Sequence, residues 1–151
     1  MRFAPLLVAV FMFGAPSARA ETGEMIFNDV CAGCHQVGAT GVPGAYPRLA
    51  GRANRIAADP KGRVFLTQLV LTGMSGAITV DGNRILGLMP NFDAMTDEDL
   101  AAALNYVTGL EGRKAPAFSP LDIKAARIMP KATPEEMAQT RNQLAETHVI
   151  P

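Results

Sequence analysis

The sequence is poor in several residue types. Its 151 residues include two cysteines, two histidines and no tryptophan, and the 14 basic side chains are matched by 14 acidic ones. This balance argues against a nucleic-acid partner, which requires a basic face. Only two residues separate the cysteines, so a disulfide between them would close a tiny loop and add little stability. Beyond residue 20, no apolar run is long enough to cross a bilayer.

The first twenty residues differ from the rest. Arg2 is followed by the uncharged stretch FAPLLVAVFMFGA, and SARA then places Ala18 and Ala20 at the small positions that a signal peptidase requires. We predict a signal peptide at residues 1–20, cleaved before Glu21. The alternative, a membrane anchor, is disfavoured because the run is shorter than the ~20 residues of a bilayer span. Cleavage leaves 12 basic and 14 acidic residues, and predicts a soluble, exported protein.

The stretch CAGCH, at residues 31–35, allows three chemistries. A redox dithiol prefers a helix N-terminus, whereas the apolar spacing of the preceding GEMIFNDV indicates a helix that ends at the motif. A structural zinc ion requires four ligands, and the second histidine, His148, is remote in the chain. The C-x-x-C-H pattern behind an export signal favours covalent haem, with Cys31 and Cys34 forming thioethers and His35 binding the iron.

A haem iron held by His35 needs a ligand on its other face. Met89 stands in GLMPNF, between a predicted hairpin and a predicted helix, where Pro90 keeps the backbone extended. We expect Met74 to end an apolar helix and Met95 to pack in the core. The sequence therefore predicts Met89 as the distal ligand.

These features together resemble the class I cytochromes c, specifically the bacterial periplasmic monohaem group. The resemblance covers residues 22–110 and includes, besides CAGCH, Gly23 and Phe27 in the first helix, PRLAGR at residues 47–52, MPNF, and Tyr106. Many relatives carry a tryptophan near a haem propionate, and this chain has none. The resemblance implies an all-α fold of three to four helices around one covalent haem c and its iron, with a small β-hairpin and a C-terminal extension.

The resemblance also implies functional roles. The carbonyl of Pro47 would accept a hydrogen bond from the far nitrogen of His35, and Leu49 would pack on the haem edge. With His35 and Met89 on the iron, no open position remains for a substrate, so we expect an electron carrier and not an enzyme. Its partners would be redox proteins: a dehydrogenase, a terminal oxidase or another cytochrome. The alternative is a tightly bound subunit of a periplasmic quinoprotein or molybdenum dehydrogenase.

Sequence patterns predict the main elements of the domain. They are a first helix at about 22–34, a wrapping loop at 36–60, a buried helix at 61–73, a hairpin at 78–87 that turns at Asp81-Gly82, and a helix that follows the N-cap Thr96.

The end of the chain has a different character. We predict a signal peptide at 1–20, a cytochrome c domain at 21–110 and a proline-rich extension at 111–151. Within the extension, a capping box at Thr133 opens a short helix that runs to about residue 147. Its prolines predict an extended, stiff linker. Phe118, Leu121 and Ile123 could then reach a groove on a partner or on the domain itself. The sequence leaves three alternatives open: a docking arm, an arm that wraps its own domain, and a disordered tail.

Overall fold

The computed structural model describes residues 22–111 and 115–151, so the predicted signal peptide lies outside the described residues. The elements are α1 (Gly23–Ile26), a π-helical turn (Phe27–Cys31), α2 (Ala32–His35), a 3₁₀ turn (Val37–Ala39), α3 (Ala53–Ala58), α4 (Pro60–Thr72), β1 (Met74–Val80), β2 (Asn83–Met89), α5 (Asp97–Gly109), α6 (Pro120–Arg127) and α7 (Pro134–Glu146). The predicted mostly helical fold with one small antiparallel hairpin is confirmed. Within these two ranges, the helices are too short or too polar to cross a membrane.

The first helix crosses α5 closely. Gly23 lies so near the main chain of Ala102 that a side chain would not fit there. One turn later, the rings of Phe27 and Tyr106 pack with centroids 5.3 Å apart and planes tilted by 47°. This contact belongs to a small core cluster of Phe27, Ala32, Ala39, Ala50, Ala53 and Val107. The crossing fixes the position of CAGCH, which follows directly in the same helix.

The segment predicted as a wrapping loop contains a helix. α3 occupies Ala53–Ala58, and the Asp59 carboxylate then caps α4 by accepting from the main-chain N–H of Lys61 at 2.7 Å. The prediction of a wrapping loop at 36–60 was therefore wrong for residues 53–58. The six residues of α3, between Gly51 and Pro60, are too few to show a helical period. The predicted helix at 61–73 is confirmed, with its end at Gly73.

The hairpin is longer than predicted. Asp81 and Gly82 both have positive φ, 49° and 77°, as a two-residue type I′ turn requires. The strands extend beyond 78–87 to a terminal pair of Met74 and Met89. Two positions therefore differ from the prediction: Met89 ends β2 instead of lying in a loop, and Met74 opens β1 instead of ending a helix. The directly paired glycines, Gly76 and Gly87, hide this extension because glycine weakens the strand pattern.

The extended linker predicted after residue 111 is also wrong. Ser119 is the N-cap of α6, and its main-chain N–H and its hydroxyl both donate to Asp122 Oδ2, at 2.7 and 2.8 Å. Pro120 occupies the first turn, where proline fits a helix well because its missing N–H has no helical partner there. The signal Ser-Pro-x-Asp was present in the sequence, but the prolines on either side favoured the linker interpretation.

The C-terminal segment packs onto its own domain. The side-chain amide of Asn105 in α5 donates to the carbonyl of Phe118 at 2.8 Å and accepts from its main-chain N–H at 2.7 Å. The guanidinium of Arg63 lies 4.0 Å from the centre of the Phe118 ring. Of the three alternatives, self-wrapping is therefore the one observed. Four residues of this segment, Phe118, Ile123, Met137 and Ile150, belong to the main core. The other buried members of this core come from α3, α4 and α5: Ala57, Phe65, Leu66, Leu100, Ala101 and Leu104.

Candidate functional site

A cleft opens between the CAGCH helix and the β-hairpin. It holds about 730 Å³ of space, part of which is open to solvent. The lining is largely apolar: Val30, Cys31, Cys34, His35, Ala45, Tyr46, Pro47, Met74, Gly76, Ile78, Ile85, Gly87, Leu88, Met89, Pro90 and Phe92.

The helical wall of the cleft carries the motif. A π-helical turn, often found at functional sites, leads into it and ends at Cys31, and the N–H of Ala32 bonds to the carbonyl of Phe27. Cys31 and Cys34 follow as partly exposed free thiols. Burial, followed by the effect of Cys34, raises the pKa of Cys31 to about 11. A redox dithiol requires the opposite shift. Within residues 22–111 and 115–151, no group of three or more His, Cys, Asp or Glu side chains could hold a metal ion.

His35 is buried, with 9% of its surface exposed. Its Nδ1 lies 2.9 Å from the carbonyl oxygen of Pro47. A carbonyl can only accept, so Nδ1 carries the proton and Nε2 keeps a lone pair free for a metal. Burial lowers the pKa of His35, although the bond to Pro47 acts in the opposite direction. The neutral ring that burial favours is the form that binds iron.

Met89 reaches the cleft from the hairpin. Gly73, with φ of +75°, closes α4 so tightly that a Cβ there would come within 2.5 Å of the Met89 carbonyl oxygen. Beyond the strand, the N–H of Phe92 bonds to the carbonyl of Val70 at 2.9 Å. The end of α4 therefore holds the main chain at Met89 and the residues that follow it. Its cross-strand neighbour Met74 lines the same cleft, so two thioethers are present on this wall.

The hairpin also leaves room for a flat group. Gly76 and Gly87 pair directly across the strands and both line the cleft. A Cβ added at Gly87 would meet nothing within 4 Å. Paired glycines in a strand are typical where a ligand approaches the backbone. With two free thiols, a histidine of fixed tautomer and a methionine around the same cleft, the side chains present fit covalent haem.

Other predicted residues lie elsewhere. Leu49, expected on the haem edge, packs in the cluster around Phe27 and is not among the lining residues of the described cleft. Met95 packs against the main core, as predicted. Sequence reasoning missed Tyr46 and the isoleucine pair Ile78–Ile85 as lining residues. Each isoleucine lies two residues from a paired glycine, on the same face of its strand. This shared face can be recognised only when the strand register is known.

Comparisons with known proteins agree with this chemistry. The sequence pattern that defines the family "Cytochrome c" matches residues 20–111. A cytochrome c-552 of Thermus thermophilus is 35% identical over 143 residues, which cover 91% of this chain and 95% of the relative. A second Thermus thermophilus cytochrome c-552 is 38% identical over 119 residues, covering 76% and 90%. The chain therefore belongs to the cytochrome c family, as a monohaem electron carrier with covalently bound haem c.

Proposed function

We propose that this cytochrome works in the periplasm, after removal of residues 1–20, and carries single electrons between redox proteins. Cys31 and Cys34 hold the haem by thioethers, while His35 Nε2 and Met89 Sδ bind its iron. The observation that carries this proposal is the convergence of all four side chains, from two separate elements, on one apolar cleft. A dehydrogenase would supply the electron, and a terminal oxidase or another cytochrome would accept it.

The side chains around the cleft determine how the site works. Bound haem c supplies an iron that takes up and releases one electron. Pro47 keeps the His35 ring in one orientation and raises its basicity as a ligand. The thioether of Met89 favours the reduced state and raises the potential. With His35 and Met89 both bound to the iron, no coordination position would remain for a substrate.

The rim of the cleft suits contact with another protein. Leu86 and Leu88 on β2 are 71% and 69% exposed, and Tyr46 on the facing loop is 41% exposed. Exposed apolar side chains next to a cofactor cleft mark an interaction surface. We propose that redox partners approach here, at the opening of the cleft that would hold the haem.

The second candidate function, a permanent subunit of a quinoprotein or molybdenum dehydrogenase, depended on an extension with no evident role in a free carrier. That extension packs into the protein's own core through Phe118, Ile123, Met137 and Ile150. The observation that favoured the subunit is thereby removed, and the free carrier is the function we propose.

Purified periplasmic fractions of the source organism provide the first test. We expect a mass equal to residues 21–151 plus one haem, and haem retention after acid–acetone extraction. A reductive titration should consume one electron per chain. A chain that still begins at Met1, haem that is lost on extraction, or recovery in stable complex with a dehydrogenase would contradict the proposal.

The rim can be tested by a matched pair of charge substitutions. Leu88→Glu should slow electron exchange with a methyl-terminated alkanethiol electrode at least ten-fold, because a carboxylate opposes contact with an apolar surface. Leu121→Glu on α6 is the control, since Leu121 is 72% exposed and lies outside the cleft lining. Equal rates in the two variants would show that the rim is not the exchange surface.

A further inference from the structure

The outer edge of β1 presents main-chain groups that the hairpin does not use. In an antiparallel pair, alternate residues direct their N–H and C=O groups away from the partner strand. The two-residue turn makes Val80 and Asn83 a hydrogen-bonded pair, so the carbonyls of Ala77 and Thr79 point outward. Such an edge must be solvated, paired with another strand, or covered.

Helix α7 covers this edge. Arg141 Nη2 donates to the carbonyl of Thr79 at 2.6 Å, and Asn142 Nδ2 donates to the carbonyl of Ala77 at 3.2 Å. A Cβ added at Gly76 would lie 3.1 Å from the Cβ of Ala138, so the helix approaches the strand closely. Ala138, Arg141 and Asn142 share one face of α7, by their spacing of three and four residues. The two polar side chains take the place of a third strand.

The burial of Arg141 sets it apart. The residue is 6% exposed, yet among the described residues its hydrogen bonds are to Thr79 and to Asn142 Oδ1, the latter at 3.4 Å, and none is to a carboxylate. Burying a guanidinium without a counter-charge is costly. An aliphatic side chain at position 141 would pack against the strand without the desolvation cost of a buried charge. What the arginine contributes is a strong donor aimed at the edge of β1.

The edge of β1 is connected to the proposed distal ligand through the pairing of β1 with β2. Ala77 and Thr79 pair with Leu86 and Arg84, on the strand that ends at Met89. Leu86 and Leu88 on β2 are exposed, whereas α7 packs along β1. A two-stranded hairpin is marginal by itself. Its position over the cleft therefore depends in part on α7, beside the ion pairs of Asp81 with Arg48 and Arg52 at the turn.

We propose that Arg141 and Asn142 are positioning residues for Met89, which hold the hairpin against the cleft so that the thioether stays within reach of the iron. The proposal rests on the proposed ligation by Met89. It gives the C-terminal helix a role at the haem, whereas a merely wrapping segment would leave the distal ligand unaffected.

The test is imidazole binding to the oxidised holoprotein, since imidazole binds the iron only where Met89 has left it. Arg141→Met should raise the apparent imidazole affinity at least ten-fold and weaken the near-infrared sulfur-to-iron band. Asn142→Ala, which removes one weaker bond, should raise the affinity two- to five-fold. Arg141→Lys, which keeps a donor, should fall between Arg141→Met and wild type.

Arg63→Met is the matched control. Arg63 anchors the start of the same C-terminal segment through the carbonyls of Pro116 and Ala117, at 2.5 and 3.1 Å, and does not line the cleft. It should lower the melting temperature without changing imidazole affinity. If Arg141→Met and Asn142→Ala bind imidazole no better than Arg63→Met, the positioning role is overturned.

A separate variant isolates the proposed ligation. Met89→Ala should bind imidazole far more tightly than wild type and lack the sulfur-to-iron band. If Met89→Ala matches wild type in both measurements, the ligation itself is wrong. If Met89→Ala behaves as expected while Arg141→Met matches Arg63→Met, only the positioning inference fails.

Discussion

At the scale of single residues, the shape of the cleft depends on side chains that are missing. Gly76 and Gly87 face each other between the pairs Met74–Met89 and Ile78–Ile85, so the middle of the hairpin offers bare backbone to the cleft. We expect Gly87→Leu to fill this space and to reduce the yield of haem-loaded protein several-fold, measured as haem absorbance per chain. Arg84→Leu places the same side chain on the other face of β2 and should leave the yield unchanged. Normal loading of Gly87→Leu would contradict the proposed position of the haem against the hairpin.

The motif residues could be identified from sequence because their chemistry is local. Cys31, Cys34 and His35 lie within five consecutive residues, so no tertiary information is needed to bring them together. The choice of distal ligand between Met89 and Met74, in contrast, depends on tertiary structure. The two thioethers meet only when the strands pair, fifteen residues apart in sequence, and glycines conceal that pairing. The sequence could therefore propose Met89 but could not reveal its neighbour.

At the scale of elements, helices with strong caps and long apolar periods were predictable, and short ones were not. α4 and α5 each have 13 residues and a side-chain N-cap, Asp59 and Thr96. α3 and α6 have six and eight residues, and tertiary packing stabilises them more than their own sequence does. α6 shows this clearly, since Ile123 is fully buried against the body of the domain.

The start of α6 gives a pH-dependent prediction. The N–H of Ser119 lowers the pKa of the Asp122 carboxyl, so the ionised form stabilises the folded state. That contribution is complete above the unfolded-state pKa of about 4 and is lost as the pH falls through the lower folded value. Asp122→Asn should cost about 1 kcal/mol at pH 7 in urea unfolding. The difference from wild type should shrink below about pH 4.

The exposed Asp93 provides the control for that measurement. Asp93→Asn removes a carboxylate that does not cap a helix, so it should change the free energy of unfolding by less than about 0.5 kcal/mol. A constant difference between Asp122→Asn and wild type from pH 7 down to pH 3 would show that the carboxylate charge contributes nothing.

At the scale of the whole molecule, the C-terminal segment and the haem-binding segment form one folded unit. Ile123→Ala should destabilise the protein by about 2–5 kcal/mol, because it leaves a cavity in the shared core. Ile128 lies five residues later and is 85% exposed, so Ile128→Ala should cost less than about 0.5 kcal/mol. Urea unfolding of the two variants measures the difference directly. Equal stability of the two would mean that the segment does not share the core in solution.

The central claim is that a single haem lies between His35 on the helix and Met89 on the hairpin. The most direct test is the near-infrared sulfur-to-iron band of the oxidised protein, recorded for wild type, Met89→Ala, Met74→Ala and Met95→Ala. We predict that the band is present in wild type, abolished by Met89→Ala together with a lower potential, and retained in the other two variants. A band that survives Met89→Ala and disappears in Met74→Ala would contradict the claim, and would assign the iron to the other thioether of the same cleft.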